Sequence, residues 1–167
     1  EALAPWPGPK GTLHPICSLR RERARSRIDS AGWGVEGDPD ARALALRIVG
    51  DSPWLDLQGL DARARSAYHA ACALVANHVA VLIAEGRGIL EGLVDAERDA
   101  LWLVLDALVH SAVGNLMHLG IPDGVTGPVA RGEMDVAAKH AAALGGESGK
   151  LYQQLSERLA SRLAQAR

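Results

Sequence analysis

The polar side chains of one predicted helix form the first group that could do chemistry. Arg65 and His69 lie four residues apart, so both project from one side of a helix, and Asn77 extends that side. A polar stripe in an otherwise apolar helix is costly to bury unless its hydrogen bonds are satisfied. The stripe, with Tyr68 beside it, is therefore either a structural hydrogen-bond network or the wall of a ligand site.

A loop rich in glycine and proline supplies the second group. The segment Thr126–Glu133 reads TGPVARGE, in which two glycines and a proline fix a tight backbone path around one hydroxyl and one guanidinium. Free backbone amides beside an arginine suit a carboxylate or a phosphate. Thr126, Gly127 and Arg131 would in that case hold an anionic group of a ligand. The alternative is an ordinary connection between two helices.

The remaining candidates are histidines and an asparagine on the later helices. His110 and His118 are eight residues apart and could share a face with Asn115, whereas His140 belongs to the helix after the loop. No carboxylate stands at metal-ligand spacing near them, so we expect no metal site. A metal or haem bundle would require four histidines to converge: His69, His78, His110 and His118.

Composition and motif content argue against several function classes. The 167 residues are 48% apolar and 23% charged, and a net charge of −2 provides no field that would attract nucleic acid or an anionic membrane. Without a run of about 18 apolar residues, we expect no membrane-spanning segment. The sequence has no glycine-rich dinucleotide motif, Walker motif, nucleophile elbow or zinc-protease motif. Cys17 and Cys72 lack metal-ligand spacing, so we expect both in the core of a reduced, cytoplasmic protein.

Two segments near the amino end are expected to be loops. The first residues, from Glu1, contain prolines at 5, 7 and 9 and glycines at 8 and 11, which indicates a loop entering a domain already under way. We therefore expect further sequence upstream. The arginines at 20, 21, 23, 25 and 27 are expected to lie in a solvated loop or short helix rather than in a phosphate-binding patch.

Residues 1–58 are predicted to be the remnant of an α/β sheet. A helix with Asp38 as its cap and Pro39 at its first position ends at Gly50, between the last two of three strands. Strand, helix and strand of this size make one βαβ crossover, whose sheet needs neighbouring strands. The three strands are predicted at Thr12–Ile16, Ala31–Gly37 and Trp54–Leu57.

Residues 59–167 are predicted to be helical, which makes the fold class mainly α. Apolar residues three and four apart mark each helix. In the last helix, leucines recur every four residues, at 151, 155, 159 and 163. The helices are predicted at Asp61–Leu90, at Val94–Leu119 with Asp95 as cap, at Met134–Leu144, and from Gly149 or Lys150 to Arg167.

Several strings of residues stand in a fixed order between about residue 12 and residue 144. They are Leu13-His14-Pro15, Gly34-Val35-Glu36-Gly37-Asp38, Tyr68-His69-Ala70-Ala71 with Asn77, Asn115, and Thr126-Gly127-Pro128-Val129-Ala130-Arg131-Gly132 with His140. In this order they resemble the Rossmann-like family that carries the C-terminal domain called DUF2520, within the wider group of 6-phosphogluconate dehydrogenase-like and ketopantoate reductase-like proteins. Two positions depart from that pattern, because Arg65 stands in place of lysine and Glu133 in place of aspartate.

The resemblance implies a multi-helix domain like the C-terminal domain of 6-phosphogluconate dehydrogenase, preceded by the end of a Rossmann-type sheet. Such a domain would close one side of an active cleft, form a homodimer, and follow a domain that binds NAD(P). Arg65 and His69 would be the catalytic pair, with His69 as acid and base because arginine stays protonated. The substrate would be bound by Tyr68, Asn77, Asn115, Thr126, Gly127, Arg131 and His140, and the cofactor would be met by His14 and Pro15.

Two hypotheses of different classes follow. In the first, the full-length protein is an NAD(P)-dependent oxidoreductase, and this chain supplies the substrate side of the cleft while being inactive and free of cofactor when alone. In the second, the chain is a non-catalytic module for helical dimerisation or ligand binding. A homodimer is expected under both hypotheses, because long helices with apolar faces usually find a partner.

Overall fold

The computed structural model describes residues 6–23 and 28–166. Three strands, β1 to β3, span Gly11–Ile16, Gly32–Gly37 and Trp54–Asp56. Six α-helices, α1 to α6, span Pro39–Val49, Ala62–Ala76, Val79–Leu93, Arg98–Leu119, Met134–Leu144 and Gly146–Gln165. The described residues are therefore mainly helical, with a small sheet before the long helices, and the predicted fold class is confirmed.

The sheet has the order β1-β2-β3 and confirms the predicted crossover. Strand β2 pairs in parallel with β3, with α1 between them in sequence, while β1 pairs antiparallel to β2. Val35 of β2 is fully buried against Ala45 and Val49 of α1. This cluster is the hydrophobic core of the α/β segment, and it fixes α1 on the sheet.

Asp38 contributes to the start of α1 differently from the prediction. Pro39 does occupy the first turn, but the Asp38 side chain makes no capping hydrogen bond to the helix. Instead its Oδ2 accepts a hydrogen bond from the backbone amide of Lys10 at 2.9 Å, and its own amide donates to the Lys10 carbonyl at 2.8 Å. Asp38 therefore joins the end of β2 to the segment that leads into β1.

The long helix predicted over Asp61–Leu90 is two helices, α2 and α3. Asp61 caps α2, because its Oδ1 accepts a hydrogen bond from the Ala64 amide at 2.7 Å. At the other end, the Ala73 carbonyl accepts from the amides of both Asn77, at 2.9 Å, and His78, at 3.1 Å. Sharing one carbonyl between two amides interrupts the regular hydrogen-bond pattern, so the prediction of one continuous helix is wrong at these two residues.

The later helices agree with prediction at some boundaries and not at others. Helix α5 has the predicted bounds, whereas α4 begins at Arg98 after Glu97, so the predicted cap at Asp95 is wrong. Helix α6 begins at Gly146, before the predicted start. Gly145 and Gly146 both have positive φ angles, of 62° and 48°, which a residue with a Cβ rarely adopts. This pair of glycines makes the sharp turn between α5 and α6.

Helices α5 and α6 pack closely because small residues line their contact. Gly149, Ser156 and Leu163 are the buried residues of α6 and recur every seven positions. The predicted four-residue leucine stripe only partly matches this face, because Leu163 is buried while Leu155 is 42% exposed. A Cβ on Gly149 would lie 2.5 Å from the Ala141 carbonyl oxygen, so glycine is required for the observed spacing of the two helices.

The chain divides into two compact units, which are described separately below. The first comprises residues 1–80 and contains the sheet, α1 and α2, and the second comprises residues 81–167. The predicted domain boundary near residue 58 remains a prediction. Of the predicted arginine cluster, residues 21 to 23 form a 3-10 turn, while positions 25 and 27, like residues 1–5 of the predicted entry loop, lie outside the described residues.

Apolar side chains are unusually exposed on the middle helices. Leu103 and Met117 of α4 are 72% and 79% exposed, and Val75 of α2 is 77% exposed. Two helical stretches, Ala62–Leu93 and Arg98–Leu119, are long and apolar enough to cross a membrane by length and composition alone, a test that core helices of soluble proteins also pass. Large exposed apolar patches are rare on monomeric soluble proteins.

The close approach of α5 and α6 gives a stability test. We expect Gly149→Ala to lower the free energy of unfolding by about 1–3 kcal/mol, because the new methyl group would force the helices apart. Gly114→Ala is the matched control, since Gly114 lies within α4 and a Cβ there would meet nothing within 4 Å. The control should be neutral or slightly stabilising, as alanine favours helix. Urea denaturation of both variants measures the difference, and equal effects would contradict the packing described.

Candidate functional site

Three rings from two elements form a cluster at one end of the small sheet. His14 of β1 accepts or donates a hydrogen bond through Nδ1 to the Tyr68 hydroxyl of α2, at 2.8 Å. The ring centroids are 5.8 Å apart for His14 and Tyr68, 5.5 Å for His14 and His69, and 5.0 Å for Tyr68 and His69. The predicted acid and base His69, the predicted substrate contact Tyr68 and the predicted cofactor contact His14 therefore lie against one another.

Glycine at position 34 makes room for this cluster. Gly34 of β2 pairs directly with His14 of β1, and a Cβ there would lie 3.1 Å from the Tyr68 hydroxyl and 2.5 Å from a methyl group of Leu57. Leu57 is itself buried, with 5% of its surface exposed, so it has little freedom to move. The absent side chain thus lets the phenol reach the edge of β1.

A cavity of about 770 Å³ opens beside the three rings. His14 and Pro15 line it from β1, and Tyr68, His69 and Asn77 line it from α2 and the residue that follows. We call it the ring-lined cavity. The structure thereby brings together five of the residues that the sequence singled out, all of them within the first compact unit.

Cys17 and Cys72 also line the ring-lined cavity. Each is partly exposed and neither forms a disulfide, so the prediction that both are core residues is wrong. A signal for their position exists in the sequence, because Cys72 follows Tyr68 by four residues and so lies on the same side of the helix. Cys17 immediately follows β1, whose end supplies His14.

Arg65 does not line the ring-lined cavity but pairs with Glu36 of β2. Its Nη1 and Nη2 donate to the two carboxylate oxygens of Glu36 at 2.5 and 2.8 Å, and Nη2 also donates to the Leu60 carbonyl at 3.3 Å. Such a two-bond pair holds the guanidinium in one plane. In this arrangement Arg65 fixes α2 to β2, and its predicted catalytic role remains a prediction.

Burial of Tyr68 changes its acidity. Removal from water raises the pKa of the phenol above its usual value, and interaction with the neighbouring Cys72 raises that pKa further. The neutral, hydrogen-bonding form of Tyr68 is therefore favoured in the folded protein.

The Thr126 loop forms a separate hollow of about 470 Å³ in the second compact unit. Thr126, Gly127 and Arg131 all line it, and their assignment to an anionic group remains a prediction. Arg131, however, already donates from Nε and Nη2 to the two carboxylate oxygens of Glu133, at 2.9 and 2.7 Å. The same contact lowers the pKa of the Glu133 carboxyl group. An incoming anion would have to compete with Glu133 for the guanidinium.

Two other predicted residues lie elsewhere in the second unit. The Asn115 carbonyl packs against Gly124, where a Cβ would lie 2.6 Å away. His140 of α5 is exposed, and its Nδ1 lies 3.0 Å from the Tyr152 hydroxyl of α6. Neither residue is among those that line the two cavities above. Their assignment to substrate binding remains a prediction.

Of the four histidines that a metal bundle would require, His110 lies beside a carboxylate of its own helix. His110 lies 3.2 Å from a carboxylate oxygen of Asp106, one turn earlier on α4. Over residues 6–23 and 28–166, no group of three or more histidine, cysteine, aspartate or glutamate side chains is placed to hold a metal ion. The described residues that line the ring-lined cavity offer imidazole, phenol, thiol, hydroxyl and amide groups.

Comparison with known proteins now adds to this geometry. The family model described as a domain of unknown function, DUF2520, matches residues 31–159. The chain belongs to this family. The resemblance identified from the residue strings is therefore confirmed at the level of the family. No curated protein matches the chain.

Two solved structures share the fold of this DUF2520 chain. Protein TM1727 from Thermotoga maritima is 21% identical, with a TM-score of 0.76 over 93% of this chain and 62% of that protein. The "putative NADP oxidoreductase" BF3122 from Bacteroides fragilis is 18% identical, with a TM-score of 0.69 over 96% of this chain and 60% of that protein. The chain thus spans about three fifths of the length of each.

The raised pKa of Tyr68 predicts a loss of stability in alkali. The folded protein holds the phenolic proton more tightly than the unfolded chain, so this stabilisation is complete below the unfolded pKa of about 10 and disappears as the pH rises through the higher folded value. Tyr68→Phe should therefore reduce the fall in the free energy of unfolding above about pH 10. Tyr152→Phe, which alters the other tyrosine, should leave that fall in place; identical pH profiles for the two variants would contradict the account.

Proposed function

We propose that this chain is the substrate-side and dimerisation half of an NAD(P)-dependent oxidoreductase. The observation that carries the proposal is the convergence of His14, Tyr68, His69 and Asn77 on one open cavity. A large cavity with a few convergent polar groups is the ordinary form of a small-molecule site. Family membership and the fold shared with BF3122 support a reductase over other small-molecule sites.

The residues of this chain fit only part of the proposed cofactor. No glycine-rich turn that could cradle a pyrophosphate occurs in the sequence. The ring-lined cavity can instead present imidazole and phenol faces, with Pro15, to a nicotinamide ring. When bound, the nicotinamide would supply the hydride chemistry. Because this chain has no such glycine-rich turn, the pyrophosphate would be held by another part of the protein. Alone, this chain is proposed to be inactive.

His69 is the proposed acid and base of the site. His69 is exposed, whereas His14 is half-buried and its Nδ1 is hydrogen-bonded to the Tyr68 hydroxyl. An exposed imidazole beside a cavity can give a proton to a carbonyl oxygen that is being reduced. Tyr68 positions the rings through its contact with His14, and the Asn77 amide is available to orient the substrate.

Other parts of the chain receive roles that rest on the same proposal. Thr126, Gly127 and Arg131 are assigned to an anionic group of the substrate, with Arg131 released from Glu133 when that group binds.

The apolar faces of α3 and α4 are assigned to a homodimer interface, in a soluble protein of the cytoplasm that binds neither nucleic acid nor membrane. Obligate interfaces of this kind are typically more apolar than ordinary surface.

The protein expressed from the full coding sequence tests the oxidoreductase proposal. We expect it to bind NADPH or NADH and to reduce some member of a panel of ketones and aldehydes. His69→Gln should lower kcat roughly 100-fold or more, as expected for loss of a general acid. His78→Gln is the control and should be near wild type, because His78 is exposed and is not among the residues that line the ring-lined cavity.

Three results would count against this proposal. Absence of cofactor binding by the full-length protein would favour the non-catalytic binding module instead. Full activity of His69→Gln would remove the assigned acid. Catalytic reduction by this 167-residue chain alone would contradict the proposal that activity requires a separate nucleotide-binding half.

The dimer assignment can be tested by charge introduced on α4. Leu103 is 72% exposed, so Leu103→Glu should fold normally but place a carboxylate in the proposed interface and convert a dimer into a monomer. Leu44→Glu, at a 55% exposed leucine of α1, is the matched control and should remain dimeric. Light scattering after gel filtration measures the mass. A monomeric wild type that instead floats with phospholipid vesicles would favour a membrane surface for these helices.

A further inference from the structure

Both cysteines of the chain line the ring-lined cavity, beside the ring cluster. Cys17 and Cys72 are each half-buried and carry free thiols. The cavity is open and has a volume of about 770 Å³, so a small organic molecule can enter it. A thiol that shares a cavity with imidazole groups is a candidate nucleophile, because the thiolate is the reacting species and imidazole can take the thiol proton.

Cys72 is the thiol that lies beside the acid and base groups. It follows His69 by three residues and Tyr68 by four on α2, and side chains at these two spacings are neighbours on one face of a helix. Burial raises the pKa of Tyr68 most, and interaction with Cys72 raises it further, which agrees with contact between these two side chains. Cys17 lines the same cavity from the residue after β1, so it serves as a matched thiol for comparison.

The groups around Cys72 match the requirements for adding a thiol to a carbon–carbon double bond that is conjugated to a carbonyl group. His69 can take the thiol proton. The sulfur then bonds to the β carbon, and the π electrons of the double bond move to the carbonyl oxygen as an enolate. The same proton passes from His69 to the α carbon as the carbonyl group forms again. The products balance the reactants, and the step consumes no oxidant or reductant.

The Tyr68 hydroxyl is placed to stabilise the enolate. A phenol can accept one hydrogen bond and donate another. When the Nδ1 of His14 carries the proton of their 2.8 Å hydrogen bond, the Tyr68 hydroxyl accepts it and can donate its own proton into the cavity. A donor directed at an oxygen that gains negative charge lowers the barrier to the step that creates this charge.

Apolar side chains in the cavity lining favour an apolar reactant. Leu19, Leu55 and Val75 line the cavity and are 44%, 53% and 77% exposed. A molecule that binds against them removes apolar surface from water, which favours association. An unsaturated ketone or aldehyde with a hydrocarbon body therefore suits the cavity better than a hydrophilic thiol reagent.

We propose that Cys72 is a covalent modification site, at which apolar α,β-unsaturated ketones and aldehydes bound in the ring-lined cavity form a thioether, with His69 transferring the proton. The inference goes beyond the proposed function, because the addition requires neither a nicotinamide nor a nucleotide-binding half. An adduct on Cys72 would lie beside His69. Compounds of this class would therefore block the candidate substrate site.

Modification of the 167-residue chain by cyclohex-2-enone at pH 7.5 tests the inference, with peptide mass spectrometry following the two cysteines separately. We expect Cys72 to react at least about tenfold faster than Cys17, because binding places the double bond beside the Cys72 sulfur. For the same reason, the rate at Cys72 should saturate as the enone concentration rises. Cyclohexanone, which has the same ring and carbonyl group without the double bond, should compete with the enone and form no thioether.

Variants of two neighbouring histidines separate chemistry in the cavity from ordinary thiol reactivity. His69→Gln should slow the reaction of Cys72 at least about tenfold through loss of proton transfer, and it should leave the rate at Cys17 unchanged. His78→Gln is the matched control and should react like wild type, because His78 is exposed and is not among the residues that line the cavity. Circular dichroism reports the fold of each variant. If His69→Gln does not fold, the ratio of the two cysteine rates and the saturation at Cys72 in the wild-type chain still decide the matter.

The outcomes separate this inference from the proposed function. Equal rates at the two cysteines, a Cys72 rate that does not saturate, or a Cys72 rate that His69→Gln leaves unchanged would overturn the modification site whether or not the full-length protein is a reductase. Saturable modification of Cys72 that depends on His69, in a full-length protein that binds no NADPH, would support the modification site and contradict the oxidoreductase proposal.

Discussion

The site depends on one hydrogen bond, between the Nδ1 of His14 and the hydroxyl of Tyr68. It joins the end of β1 to the middle of α2, through two residues that are 54 positions apart in sequence. Two further contacts hold the same pair of layers together, because Arg65 pairs with Glu36 and the absent side chain of Gly34 admits the phenol. The ring-lined cavity exists where these contacts leave the rings side by side.

Charge in this protein is satisfied internally at both candidate sites. Glu36 takes both ends of the Arg65 guanidinium, and Glu133 does the same for Arg131. In the first unit Arg65 is held by Glu36, and the described residues that line the ring-lined cavity offer imidazole, phenol, thiol, hydroxyl and amide groups. In the second unit Arg131 is exposed, so water screens its ion pair with Glu133. Another anion can therefore replace Glu133 with a small change in free energy. Each compact unit therefore holds one of the predicted site arginines in a two-bond pair with a carboxylate.

Much of the architecture could be predicted because it depends on local patterns. The crossover of β2, α1 and β3 follows from alternating strands around a helix with proline in its first turn, and α5 follows from its flanking glycines. The strings around His14, Tyr68 and Thr126 were sufficient to identify the family. The ring cluster itself was only partly predictable, since the sequence placed Tyr68 and His69 on one helix but gave no reason for His14 to meet them.

Other features depended on long-range contacts that no local pattern records. The break after α2 arises from two amides sharing the Ala73 carbonyl, within a stretch whose apolar spacing favours continuous helix. The partners of Arg65 and Arg131 were missed because a carboxylate 29 residues away, or two residues away in a folded loop, cannot be recognised from helical spacing. Cys17 and Cys72 were assigned to the core from residue type alone, whereas the open cavity keeps them partly exposed.

A double-mutant cycle between His14 and Tyr68 tests the central contact most directly. The free energies of unfolding of His14→Phe, Tyr68→Phe and the double variant, measured against wild type at pH 7.5, give the coupling between the two side chains. The account predicts a coupling of about 0.5–1.5 kcal/mol in favour of the native pair, as expected for one hydrogen bond that is partly shielded from water. Strictly additive effects, with a coupling near zero, would show that the two side chains do not hold β1 and α2 together and would contradict the account.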